Sequence, residues 1–154
     1  MSLIRQKVKF DKKLLDQDAL KILKKLTKSG YESYLVGGCI RDILLGHKPK
    51  DFDIATSATP EQVHKLFKRS RIIGRRFKLV HIMFSARKFI EVATFRTGEV
   101  KTSNDGLVVR DNFYGALKDD VFRRDFTVNG LYYDINKSEV IDYVGGLKDL
   151  EILK

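Results

Sequence analysis

The sequence predicts a single α/β domain of mixed α+β content: a mixed sheet of about five strands with helices packed on one side. Three observations carry this expectation. A chain of 154 residues, 43% hydrophobic and 32% charged, is one domain by length and long enough to bury a core. Residues 34–55 read as a strand end, a Gly-Gly turn, a short helix, a basic loop and a second strand. Further on, β-branched and aromatic runs are separated by turn residues.

The segment Ile4 to Lys13 is basic, with Lys7, Lys9, Lys12 and Lys13 among few apolar residues, and predicts an extended arm. Asp16 is a good N-cap, and Ala19, Ile22, Leu23 and Leu26 follow at helical spacing. Gly30 stops that helix, with Lys24, Lys25 and Lys28 near its negative dipole end. Tyr34-Leu35-Val36 is an apolar strand end before Gly37-Gly38. Thr59-Pro60-Glu61-Gln62 has the form of a capping box, opening a short helix through Val63, Leu66 and Phe67. The stretch Ile72 to Phe84, broken at Gly74, predicts two strand pieces. Phe89 to Arg96 predicts a further strand, pairing with Leu79 to Phe84 across a turn at Ser85 to Lys88. Thr97 to Gly106 is small and polar, a loop. Leu131 to Ile135 and Val140 to Val144 flank Asn136-Lys137-Ser138-Glu139 as a hairpin.

Composition narrows the partners. Thirty Lys and Arg against 20 Asp and Glu leave a formal net charge of +10, which favours a polyanion such as RNA, or else a generally basic solvated surface. No apolar run approaches bilayer length and no signal peptide is visible at the start, so no membrane partner is expected. A lone cysteine, Cys39, cannot form an internal disulfide and suits a cytoplasmic protein. His47, His64 and His81 are not spaced as a zinc site and read as surface or packing residues.

The chemistry concentrates in residues 35–55. On a strand, Asp51 and Asp53 project to one face while Phe52 and Ile54 take the other. Two adjacent carboxylates resist joint ionisation unless neutralised, and hard oxygen ligands suit Mg²⁺ or Mn²⁺. Gly37-Gly38 lets the backbone turn sharply and approach a ligand closely, and Arg41 adds a fork of donors that suits phosphate. Gly-Gly or Asp-x-Asp alone would equally fit a turn without a ligand. Glu91 lies in an apolar strand; it reads either as a third carboxylate at the metal or as an outward-facing charge.

The order Gly37-Gly38, Arg41-Asp42, Asp51-x-Asp53, followed by Arg123-Arg124-Asp125-Phe126-Thr127-x-Asn129, resembles the head domain of class II nucleotidyltransferases of the polymerase beta superfamily. That group contains tRNA CCA-adding enzymes and bacterial poly(A) polymerases. The resemblance runs from about Ala19 to Leu150. It implies that Asp51, Asp53 and Glu91 are metal ligands and that Asp125 supports catalysis with them. It places Gly37, Gly38 and Arg41 at the triphosphate of ATP. Arg124 would meet phosphate and Asp125 a ribose hydroxyl, with Arg123 and Asn129 in the same nucleotide-binding segment. The implied activity is template-independent transfer of AMP from ATP to an RNA 3′ end, with Mg²⁺ or Mn²⁺ as cofactor. The segment Ile73-Gly74-Arg75-Arg76-Phe77-x-Leu79-x-His81 looks like poly(A) polymerases; Phe113-Tyr114-Gly115 and Leu131-Tyr132-Tyr133 point the same way. CCA addition is the alternative, and a head-like RNA- or nucleotide-binding module without turnover is another. The helical neck, body and tail of both families have no counterpart in these residues, so 1–154 is expected to be one catalytic head. Oligomeric state is not legible in the sequence.

Overall fold

The computed structural model describes residues 4–75, 78–95 and 131–142. Among them, one mixed sheet carries three α-helices on one face. The elements are β1 (Ile4–Lys7), α1 (Gln17–Lys28), β2 (Ser33–Val36), α2 (Gly38–Leu44), β3 (Asp53–Thr56), α3 (Pro60–Leu66), β4 (Ser70–Ile73), β5 (Leu79–Met83), β6 (Phe89–Thr94), β7 (Leu131–Asp134) and β8 (Glu139–Asp142).

The sheet has eight strands, in the order β1-β8-β7-β2-β3-β6-β5-β4, rather than about five. Two long-range pairings enlarge it. The β7–β8 hairpin joins β2 through β7, and the N-terminal segment is not a free arm but an edge strand, with Arg5 opposite Ile141 and Lys7 opposite Glu139. The chain then tucks Phe10 into the core, where its ring stacks on Tyr133 at 3.9 Å. Asp11 caps a short 3₁₀ turn at Lys12–Leu14 by accepting from the backbone N–H of Lys13.

The helices form where local signals ask for them. Asp16 accepts from the N–H groups of Asp18 and Ala19, two of the donors that a helix start leaves unpaired. Ala19, Ile22, Leu23 and Leu26 of α1 are buried against the sheet. Thr59 and Gln62 exchange the two bonds of a capping box at the start of α3, at 2.8 and 3.2 Å. Gly30 and Gly74, with φ of +91° and +98°, take backbone conformations that L side chains rarely adopt; they end α1 and separate β4 from β5.

Strand alternation divides the residues between two faces. Leu35, Ile54 and Val92 enter the core beneath the helices, whereas Tyr34, Val36, Ala55, Tyr132 and Ile141 cluster with Phe95 on the opposite face. In β3 the central position is antiparallel to β2 and parallel to β6, which sets Val36, Asp53 and Glu91 in one row on the face away from the helices.

Candidate active site

The turn between β2 and α2 is built from glycine for two separate reasons. Gly37 has φ +80° and ψ −147°, a region open essentially to glycine alone, and a Cβ there would stand 3.8 Å from Asp53 Oδ2. At Gly38 a Cβ would stand 3.1 Å from Arg41 Nη2 and 3.6 Å from Cζ, so the guanidinium lies folded back over the helix start. Arg41 Nε and Nη2 each sit 3.4 Å from Asp42 Oδ1, a loose pairing that leaves donors facing outward. Cys39 is buried behind the turn and donates to the Val36 carbonyl at 3.3 Å. Burial, reinforced by the nearby Asp53 charge, pushes its thiol up to about 12, so it stays protonated and inert.

Strand β3 begins at Asp53, so Asp51 and Phe52 precede it rather than lying on it; Phe52 and Ile54 nevertheless enter the helix-side core. Asp53 and the exposed Asp51 open instead onto a cleft of about 440 Å³. One wall is Gly38, Arg41 and Asp42; the loop residues His47, Lys48 and Lys50 form another. The structure therefore brings together Gly37, Gly38, Arg41, Asp51 and Asp53 among the residues singled out in the sequence. In the sequence these loop cations read only as a basic loop. Their signal was the alternating charge of His47-Lys48-Pro49-Lys50 immediately before the acid pair.

Glu91 stands directly beside Asp53 in the parallel register, with His81 of β5 opposite it on the other side. Its Oε1 lies 3.4 Å from His81 Nε2 on β5. His81 is therefore more than a packing residue, because it partners the candidate third acid. Among the described residues, no three His, Cys, Asp or Glu side chains are gathered into a metal-holding group. Arg123, Arg124, Asp125 and Asn129, together with the 97–106 loop, Arg76, Phe77 and Phe113 to Gly115, lie outside the described residues.

The donor set nevertheless fits a hard divalent cation that travels with a triphosphate. Mg²⁺ in such sites is bound through one or two carboxylates with substrate phosphates completing the shell, so it does not require a third protein ligand. Asp51 and Asp53 would supply the carboxylates, and Arg41, Lys48 and Lys50 line the same cleft with charge opposite to a phosphate chain.

A mixed sheet whose glycine turn, arginine and acid pair border a single cleft defines a nucleotidyltransferase head. The chain matches the family described as the poly A polymerase head domain over residues 33–153, and it belongs to that family. It is 49% identical to poly(A) polymerase I of Salmonella typhi over 156 aligned positions, covering 96% of this chain and 33% of that protein. The solved CCA-adding enzyme of Bacillus stearothermophilus, in complex with CTP, is 38% identical, with a TM-score of 0.71 over 88% of this chain and 31% of the other. A tRNA nucleotidyltransferase solved with a primer tRNA and an incoming ATP analog is 30% identical, with a TM-score of 0.63 over 84% of this chain and 36% of the other. The chain thus spans about a third of the length of the curated relatives it matches. Among its described residues, no helix is long and apolar enough to cross a membrane.

Proposed function

We propose that residues 1–154 form one catalytic head that transfers AMP from ATP to RNA 3′ ends without a template. The observation that carries this is the convergence of Gly38, Arg41, Asp51 and Asp53 on one cleft. The RNA 3′ oxygen attacks the α-phosphorus of ATP, the bond to the pyrophosphate breaks, and the hydroxyl proton leaves to solvent. Arg41 grips the departing phosphates as charge moves onto them, and the glycine turn lets the phosphate chain lie close to the backbone. Asp51 and Asp53 would hold Mg²⁺ or Mn²⁺, whose charge neutralises the triphosphate and lowers the pKa of the attacking hydroxyl. Glu91, in register beside Asp53, is a supporting acid once His81 yields its carboxylate. The family match includes Arg123, Arg124, Asp125 and Asn129, which supports placing Arg124 on phosphate and Asp125 on a ribose hydroxyl.

The 49% identity to a poly(A) polymerase I supports A-tailing over CCA addition. Such an enzyme works in the cytoplasm, where RNA and ATP are both abundant. Primer extension tests the reading, with each nucleotide supplied in turn to a tRNA lacking CCA and to an unrelated oligoribonucleotide. A run of A from ATP alone on both substrates is expected. Ordered C, C and A confined to the tRNA would make this a CCA-adding head, and binding without extension would make it a binding module.

A further inference from the structure

The two edges of the sheet are finished differently. β1 closes one with the polar side chains Arg5, Gln6 and Lys7, and Glu139 engages Lys7 there at 4.0 Å. At the other, β4 borders no further strand among the described residues, and every residue from Arg71 to Arg75 is exposed. Ile72 and Ile73 stand among them, 36% and 39% exposed. Neighbouring residues of a strand face opposite ways, so this edge is apolar both above and below the sheet.

The backbone of the edge is open as well. The N–H of Met83 donates to the Arg69 carbonyl at 2.7 Å, which makes Arg69 and Met83 a hydrogen-bonded pair at the start of the β4–β5 ladder. Antiparallel alternation then turns the N–H and C=O of Arg71 and Ile73 towards β5 and those of Ser70 and Ile72 outwards. Such a row is a template for one more strand unless something guards it. The guard here has one sign. Lys68, Arg69, Arg71 and Arg75 are exposed and carry no ion pair among the described residues, and Glu61 of α3 is taken by Lys78 at 3.5 Å. Like charge opposes pairing of β4 with a second copy of itself, and the same charge attracts an acidic strand. RNA would meet the cations but leave both isoleucines and the outward backbone groups unused.

We propose that β4 is a docking edge for an extended acidic segment of a partner protein, which joins the sheet as a further strand. Its main chain pairs with Ser70 and Ile72, its apolar side chains cover Ile72 and Ile73, and its carboxylates meet Arg71 and Arg75. Strands β5 and β6 separate this edge from β3 and the Asp53 cleft, so docking leaves the cleft open to nucleotide.

The test uses a fluorescein-labelled octapeptide of alternating glutamate and valine, with a lysine–valine octapeptide and oligoadenylate for comparison. The glutamate peptide should bind and the lysine peptide should not. In amide exchange followed by NMR, the N–H groups of Ser70 and Ile72 should gain protection on binding. Those of Arg71 and Ile73, already bonded to β5, should stay as they were. Ile72→Pro removes an outward N–H without breaking the ladder, and should weaken the peptide about tenfold or more while ATP binding is unchanged. Where proline disturbs the strand, Arg71→Glu with Arg75→Glu decides: it should lose the glutamate peptide and gain the lysine one. Absence of glutamate-peptide binding, or protection that falls elsewhere than on β4, would overturn the proposal. So would oligoadenylate, and not the peptide, protecting the β4 amides, which would make the edge an RNA contact. A dimer in sedimentation that Ile72→Pro dissociates would overturn it too, in favour of a second copy.

Discussion

At the scale of single residues, the site separates charge from backbone geometry. In the proposed reaction Asp51 and Asp53 would carry the electrostatic role, and Phe52 and Ile54 anchor that stretch of chain in the helix-side core. The double change Asp51→Asn with Asp53→Asn should therefore abolish Mn²⁺-dependent ATP binding, read by calorimetry, while circular dichroism stays that of the parent. Unchanged binding would remove the acid pair from the site. The two glycines should fail in different ways. Gly37→Ala forces a side chain into a glycine-only conformation and should cost about 1–3 kcal/mol of stability, visible in the urea midpoint. Gly38→Ala keeps an ordinary backbone but pushes against Arg41 Nη2 at 3.1 Å, so it should weaken ATP and barely move the midpoint. Equal ATP affinity in that variant would mean that the guanidinium shifts aside without loss. Arg41→Ala, expected to weaken ATP directly, then decides whether Arg41 meets the nucleotide.

At the scale of elements, the start of α1 is tied to the turn before β6. Burial opposes ionisation of Asp16, but the Lys88 ammonium and the N–H groups of Ala19 and Asp18 outweigh it and hold the carboxyl below its ordinary 3.8. Hydrogen bonds to Asp16 and Asp18 raise Lys88 above its ordinary 10.5. The signs follow from linkage. Asp16 stabilises the fold above its unfolded pKa and loses that contribution as pH falls through the lowered value. Lys88 contributes below its unfolded pKa and loses it as pH rises through the raised one. Lys88→Met should consequently lower the urea midpoint by an amount that is level near neutral pH and shrinks below about pH 4, staying under about 1 kcal/mol because Lys88 is partly exposed. Asp16→Ala removes the helix cap as well and should cost about 1 kcal/mol. A midpoint difference that grew in acid would contradict the pairing. The β7–β8 hairpin has a comparable local lock, where Asp134 Oδ1 accepts from the N–H groups of Asn136 and Lys137 at 2.9 and 3.3 Å.

At the scale of the whole molecule, a formal charge of +10 acts through the solvent as well as through contacts. Lys48 and Lys50 beside the cleft add a local excess near the acid pair. Oligoribonucleotide binding by this chain should thus be weak, tolerant of sequence and steeply salt-dependent, since each neutralised phosphate releases counterions. Fluorescence titration across a series of salt concentrations measures the slope. A tight complex indifferent to salt would mean that shape or base contacts, rather than charge, hold the RNA.

What the sequence alone determined about this protein is whatever depends on near neighbours in the chain. The Asp16 cap, the Thr59 to Gln62 box, the Gly74 break and the β7–β8 hairpin are all settled within a few residues, and Asp51 and Asp53, two positions apart, line one cleft although only Asp53 lies on β3. The glycine turn and Arg41 belong with them, because one turn of chain brings the guanidinium over Gly38. Tertiary structure decided everything that rests on pairing between distant segments. Backbone hydrogen bonds between strands are blind to side-chain identity, so nothing local announced that β1 would close the edge on β8. The parallel register that sets Glu91 beside Asp53 was equally hidden. Pairing of β3 with β6 also set Arg87 and Lys88 beside Asp51, across 36 or more residues of chain. Charge partners are chosen at distances of a few ångströms. Only the folded sheet defines distances of that size between residues so far apart.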